Sequence, residues 1–127
     1  MFKLSERSLR KLEGVHEDLV KVVKRAIEIT QVDFAVTEGL RTKQRQEELV
    51  KAGASKTMKS RHLTGHAVDL CAVVGSEIRW DWSLYPIIAE AMKKAAYELD
   101  VPIEWGGDWK SFKDGPHFQL TWEEYPA

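Results

Sequence analysis

The 127-residue sequence lacks most of the features that mark a specialised class. With one cysteine, Cys71, it has no partner for an internal disulfide. That thiol sits in the apolar run AVDLCAVV and reads as a buried, unreactive packing residue. No uninterrupted apolar stretch approaches the ~18 residues of a membrane span, and the opening MFKLSERSLRKLEG turns polar too soon for a secretory signal. The expectation is a chain made as a soluble cytoplasmic protein. An excess of one charge is also missing, because 19 Lys and Arg face 20 Asp and Glu, a formal net charge of -1. No broad positive field is available for sequence-independent nucleic-acid binding, so nucleic acid is not an expected partner. Internal repeats and low-complexity linkers are absent as well.

What is present is a 43% hydrophobic composition, enough for one core and too little for two, so residues 1–127 are expected to form one domain. Leu9 and Leu12, then Leu19, Val22, Val23, Ala26 and Ile27, recur at helical spacing and predict two helices over residues 5–30, with Gly14 between them. VDFAV (32–36) reads as a short strand, and a helix is expected from Thr42 to Ala52. Residues 53–65, GASKTMKSRHLTG, lack periodicity and read as an exposed loop. AVDLCAVV and EIRW, joined by Gly75-Ser76, predict a hairpin. Trp82 to Leu99 has the three-and-four spacing of the longest helix, with Pro86 tolerated near its start. IEW and HFQLT are the last strands, on either side of the turn-rich GGDWKSFKDGP. This order predicts an α+β domain in which a small, mainly antiparallel sheet packs against helices.

Four histidines raise the question of a metal site. His16, among Glu13, Glu17 and Asp18, reads as a solvated surface residue. His62 and His66 have the i, i+4 spacing of HExxH proteases, but no glutamate follows His62 and Thr64-Gly65 is a poor helix interior. If residues 66–72 are extended, Ala67, Asp69 and Cys71 share one face and His66 points to the other. Asp69 is the anomaly: a carboxylate in an apolar run is costly unless it is ion-paired, engaged in a cap or bound to metal. His117 starts the last strand, expected at a sheet edge, with its ring opposite Phe118 and Leu120 and with Asp114 three residues before it across a turn. Two histidines and a carboxylate form a suitable three-ligand set for catalytic zinc. A neighbouring carboxylate then suits proton transfer from a metal-activated water to a leaving amine, a role open to Asp114.

SRHLTGHAVD, residues 60–69, matches S-x-H-x-x-G-x-A-x-D at each fixed position. It resembles the VanY/VanX-like zinc peptidases, which cleave peptides containing D-amino acids. GLRT before it and the DGPH turn after it make the sequence most similar to small phage L-alanyl-D-glutamate endopeptidases. The resemblance implies one zinc ion per chain held by His62, Asp69 and His117, Asp114 as general base, and Arg41 stabilising the oxyanion. Many relatives have glutamate at the position of Asp114, whereas the phage-type members share aspartate. From residue chemistry alone, Arg41 reads first as a surface salt bridge to Glu38 or Glu47. Ser60 is a candidate for bonding substrate or backbone. Trp105 and Asp108, within WGGDW, are candidate substrate contacts along a cleft, with Trp105 also readable as core. The expected substrate is bacterial peptidoglycan and the expected state a monomer, held in the host cytoplasm until the membrane is permeabilised during lysis. The alternatives are a D-alanyl-D-alanine carboxypeptidase or dipeptidase with the same metal site, and a non-catalytic zinc-binding domain of the same fold.

Overall fold

Short polar side chains open the first and third helices. Ser5 accepts a hydrogen bond from Ser8 N (3.1 Å) at the start of α1 (Glu6–Lys11), and Thr42 accepts one from Arg45 N (3.1 Å) at the start of α3 (Lys43–Lys51). Between them lie α2 (Glu17–Ile29) and β1 (Phe34–Glu38). Then follow β2 (Ala67–Val74), β3 (Glu77–Arg79), α4 (Tyr85–Leu99), β4 (Ile103–Trp105) and β5 (His117–Leu120). The computed structural model describes residues 1–55 and 57–126. Lys56, inside the expected 53–65 loop, and Ala127 lie outside the described residues.

The sheet runs β1-β2-β5-β4, with β3 also pairing β2, and every pairing is antiparallel. Alternation along β1, β2 and β5 sends Phe34, Val36, Val68, Leu70, Ala72, Phe118 and Leu120 into one cluster with Leu19, Val22, Val23, Ile88 and Met92 of α2 and α4. The expected α+β architecture is therefore present. The opposite sheet face carries Asp69, Cys71, His117 and Gln119, and Cys71 is fully buried there, as a packing thiol should be.

Several expectations shift in detail. The first strand begins at Phe34 and not Val32, because the Thr30 hydroxyl bonds Val32 O (2.8 Å) and holds that stretch in a turn. A bulge after Val36 then sets Glu38, and not Thr37, across from Asp69. Residues 61–64 form a 3₁₀ turn inside the expected loop. Trp82–Leu84 is likewise 3₁₀, so the longest helix starts at Tyr85. His16 is a half-buried cap of α2, its Nδ1 accepting from Asp18 N (3.1 Å), and not a solvated residue. His117 is not at a sheet edge, since β5 lies between β2 and β4.

Gly65 ends the 3₁₀ turn at φ +76° and its carbonyl accepts from His16 N (2.8 Å). A Cβ there would run into the Gly14 carbonyl. The glycine thus fixes how the 60–69 motif meets the start of α2. Gly65→Ala is expected to destabilise the protein by about 2 kcal/mol or more through combined strain and collision, read as a lowered midpoint in denaturant unfolding.

Candidate metal centre and active-site cleft

β2 and β5 pair in a register that sets Asp69 opposite His117. The 3₁₀ turn, capped by the Ser60 hydroxyl accepting from His62 N (3.2 Å), delivers His62 to the same point. His62 Nε2 lies 3.1 Å and His117 Nδ1 3.3 Å from Asp69 Oδ1. One ligand atom from each residue lies within 4.8 Å of the other two. Ligands held at ~2.0–2.1 Å from a tetrahedral ion stand roughly 3.3 Å apart, so the spacing to Asp69 fits.

The outer ring nitrogens determine which face of each imidazole carries its lone pair. His62 Nδ1 is 2.8 Å from Gly39 O, which can only accept, so Nδ1 carries a proton and Nε2 is the nitrogen turned to the centre. Gln119 Nε2 donates to Glu104 Oε2 (3.2 Å), which turns Gln119 Oε1 toward His117 Nε2 (2.8 Å). His117 therefore presents Nδ1. With both rings neutral at these nitrogens, two imidazole lone pairs and a carboxylate aimed at one another are mutually repulsive, and a cation or a proton between them relieves it. This donor set fits a divalent metal.

Burial raises the carboxyl pKa of Asp69, but the bonds from His117 and His62 outweigh it and hold the group well below the usual carboxylate range. Burial lowers the pKa of His117, and its bond to Asp69 more than reverses this, so His117 is shifted upward. Asp114 is pushed up, first by burial and then by the charge of Asp69. Its turn is pinned on three sides: Asp114 N bonds Gly106 O (3.0 Å), the Trp105 indole donates to Gly115 O (2.7 Å), and Leu70 N bonds Pro116 O (2.8 Å).

An open cleft of about 690 Å³ contains these groups, with Glu38, Arg41, Ser60, Trp109 and Trp122 among its lining. Arg41 forms a two-pronged pair with Glu38 (2.6 and 2.7 Å), so Glu38 and not Glu47 is its acidic partner. Arg41 also donates to Gln46 Oε1 (2.7 Å), and its Nη2 stands 3.9 Å from Asp69 Oδ2. The structure departs from the sequence reading at Asp108, and at Trp105 it takes the core alternative and not the cleft wall. Asp108 pairs with Lys93 of α4 (2.6 Å), and Trp105 stacks on Phe118; neither lines the cleft. Trp109, whose ring centroid is 5.2 Å from that of His117, is the cleft tryptophan of this segment. His66 bonds Thr64 Oγ1 (2.6 Å) and faces His16, apart from the donor set.

Sequence reasoning missed Gln46 and Gln119, and it named Glu38 only as one of two acidic partners open to Arg41. Gln119 was detectable as a polar residue on the His117 face of β5, whereas the bulge that brings in Glu38 left no local signal. Arg61 was also missed: fully buried, it donates to Leu120 O (3.1 Å) and Tyr125 O (2.6 Å) beneath the Trp122 ring.

A buried two-histidine, one-carboxylate donor set with a second carboxylate beside it, in an open cleft, is the arrangement of a candidate hydrolytic metallopeptidase. The chain belongs to the phage L-alanyl-D-glutamate peptidase family, whose model matches residues 1–121. It is 31% identical over 117 residues to the L-alanyl-D-glutamate peptidase of Escherichia phage T5, covering 89% of this chain and 85% of that one. It is 37% identical over 94 residues to the L-alanyl-D-glutamate peptidase of Listeria phage A118, covering 74% of this chain but 32% of that longer protein. The crystal structure of the Serratia marcescens L-Ala D-Glu endopeptidase ChiX superposes with a TM-score of 0.95 at 51% identity, covering 99% of this chain and 95% of that one.

The donor set makes stability depend on pH and metal together. His117 is raised when folded, so in metal-free protein its contribution is complete below the ordinary histidine value of ~6.5 and is lost as pH rises through the folded value. A metal ion takes the neutral ring and competes with that proton. The rise in unfolding temperature on adding zinc is therefore expected to be larger at pH 8 than at pH 5.5, as scanning calorimetry of chelator-treated protein would show.

Proposed function

We propose that this protein is a zinc-dependent endopeptidase that hydrolyses the L-Ala to D-Glu bond of peptidoglycan stem peptides and serves as an endolysin in host lysis. The observation that carries the chemistry is the convergence of His62, Asp69 and His117 on one point, with Asp114 on the adjoining turn. The substrate assignment draws on the activity named for the phage family and for ChiX.

A nitrogen-rich set with one carboxylate suits zinc, and one ion held there supplies carbonyl polarisation and a water acidified to a pKa near ~7. The rest falls to the chain's own groups. Asp114, whose proton affinity is raised by burial and by Asp69, accepts the proton of the attacking water on a carboxylate oxygen and passes it to the leaving amine. Trp105 and Gly106 hold the turn that aims it. Arg41 sets a permanent positive charge beside Asp69, and Glu38 and Gln46 fix its plane so that it opposes charge developing on the substrate oxygen. The protein is made in the host cytoplasm, acts as a monomer, and reaches the wall once the membrane is permeabilised.

Asp114→Ala is expected to keep its zinc and its fold while losing about 10²–10⁴-fold in turnover. His62→Ala is expected to lose both metal and activity. Elemental analysis of the purified variants, with mass spectrometry of muropeptides from digested peptidoglycan, reads both outcomes. Products cut between L-Ala and D-Glu support the assignment; release of terminal D-Ala with that bond intact replaces it with a carboxypeptidase.

A further inference from the structure

The cleft has an aromatic wall that the chemistry above does not use. Trp122 lines it together with Ser60, His62 and Asp114, and 47% of its surface is exposed. The ring is firmly mounted. The guanidinium carbon of Arg61 lies 4.1 Å from the ring centroid, and Arg61 itself is only 2% exposed. Arg61 Nη2 donates to Leu120 O (3.1 Å), Thr121 O (3.4 Å) and Tyr125 O (2.6 Å), so one buried side chain holds the backbone on both sides of residue 122. Tyr125 N bonds Thr121 O (2.9 Å) and closes the turn, while the Tyr125 hydroxyl ties it to Asp18 (2.8 Å). A ring held in this way needs little further ordering when a ligand arrives, which lowers the entropic cost of the contact.

The mounting also selects what the ring can receive. Its inner face is taken by the guanidinium, and the cleft lies against the rest of the side chain. A cation behind an aromatic ring draws π density toward itself, so the outer face disfavours a second cation and suits amide planes and methyl groups. Lys59 and Lys113 on the same cleft add positive charge for carboxylates. Amide planes, methyl groups and carboxylates are what a short acidic peptide presents.

We propose that Trp122 is a substrate-contact residue: braced from behind by Arg61, the indole stacks its outer face on the bound stem peptide and strengthens binding without taking part in the chemical step. The identity of the ligand rests on the peptidase reading above. Leucine at this position still covers Arg61 with apolar surface but offers no flat face, whereas phenylalanine keeps one.

The test compares wild type, Trp122→Leu and Trp122→Phe in unfolding, zinc content and kinetics on a purified muropeptide. Trp122→Leu is expected to keep its zinc and to show a KM raised about five- to tenfold, the range for loss of one aromatic contact, with kcat little changed. Trp122→Phe is expected to stay close to the wild-type KM. An unchanged KM in Trp122→Leu, a loss confined to kcat, or an equal rise in KM for both variants would overturn the proposal. So would a lowered unfolding temperature with affinity intact, the mark of a ring that only covers Arg61. Calorimetric binding of the muropeptide to Asp114→Asn protein, with and without Trp122→Leu, separates this inference from the choice of scissile bond. Binding that Trp122→Leu leaves unweakened overturns this proposal alone; no binding in either protein overturns the peptidase reading and this proposal with it.

Discussion

One oxygen atom organises the site. Asp69 Oδ1 receives two imidazoles at 3.1 and 3.3 Å while its side chain keeps only 19% of its surface exposed. A carboxylate taken that far out of water demands positive charge, and the fold supplies it from Arg41 on one side and from whatever the two rings bind on the other. The remaining features follow from that demand. The β1 bulge brings in Glu38 to hold Arg41, the β2–β5 register brings in His117, and the Gly65 turn brings in His62.

Alternation along 67–72 was enough to turn Asp69 away from Val68 and Leu70, and the structure keeps that division between core and cleft. The same argument kept His66 out of the donor set, and it lies with His16. The three-and-four spacing of α2 and α4 predicted the buried helix faces, because those faces are set by local periodicity and one shared core. Boundaries were less legible: the Thr30 side chain, and not the apolar pattern, decides where β1 starts.

Features that join distant segments were the least visible. Nothing near Trp105 in sequence shows that its indole will hold Gly115 O, so an aromatic beside two glycines was read as either cleft wall or core, and its part as a brace for the turn went unseen. Asp108 went the same way, drawn off to Lys93 by the position of α4. Gln119 and Glu104 belong to different strands, yet together they fix which nitrogen His117 presents. Choices of this kind depend on hydrogen-bond partners and leave no periodic trace.

The buried Arg61 gives the carboxyl-terminal segment an unexpected status. Its guanidinium gathers the carbonyls of Leu120 and Tyr125 and lies under Trp122, while the Tyr125 hydroxyl donates to Asp18 at the start of α2. The residue next to His62 is thus sealed by a stretch of chain that extends past residue 121, where the match to the family model ends. Trimming the protein after residue 121 would strip the Tyr125 carbonyl and the Trp122 ring from a buried guanidinium one peptide bond from the candidate metal centre, leaving it the carbonyls of Leu120 and Thr121. For engineering purposes the working unit extends at least through Tyr125.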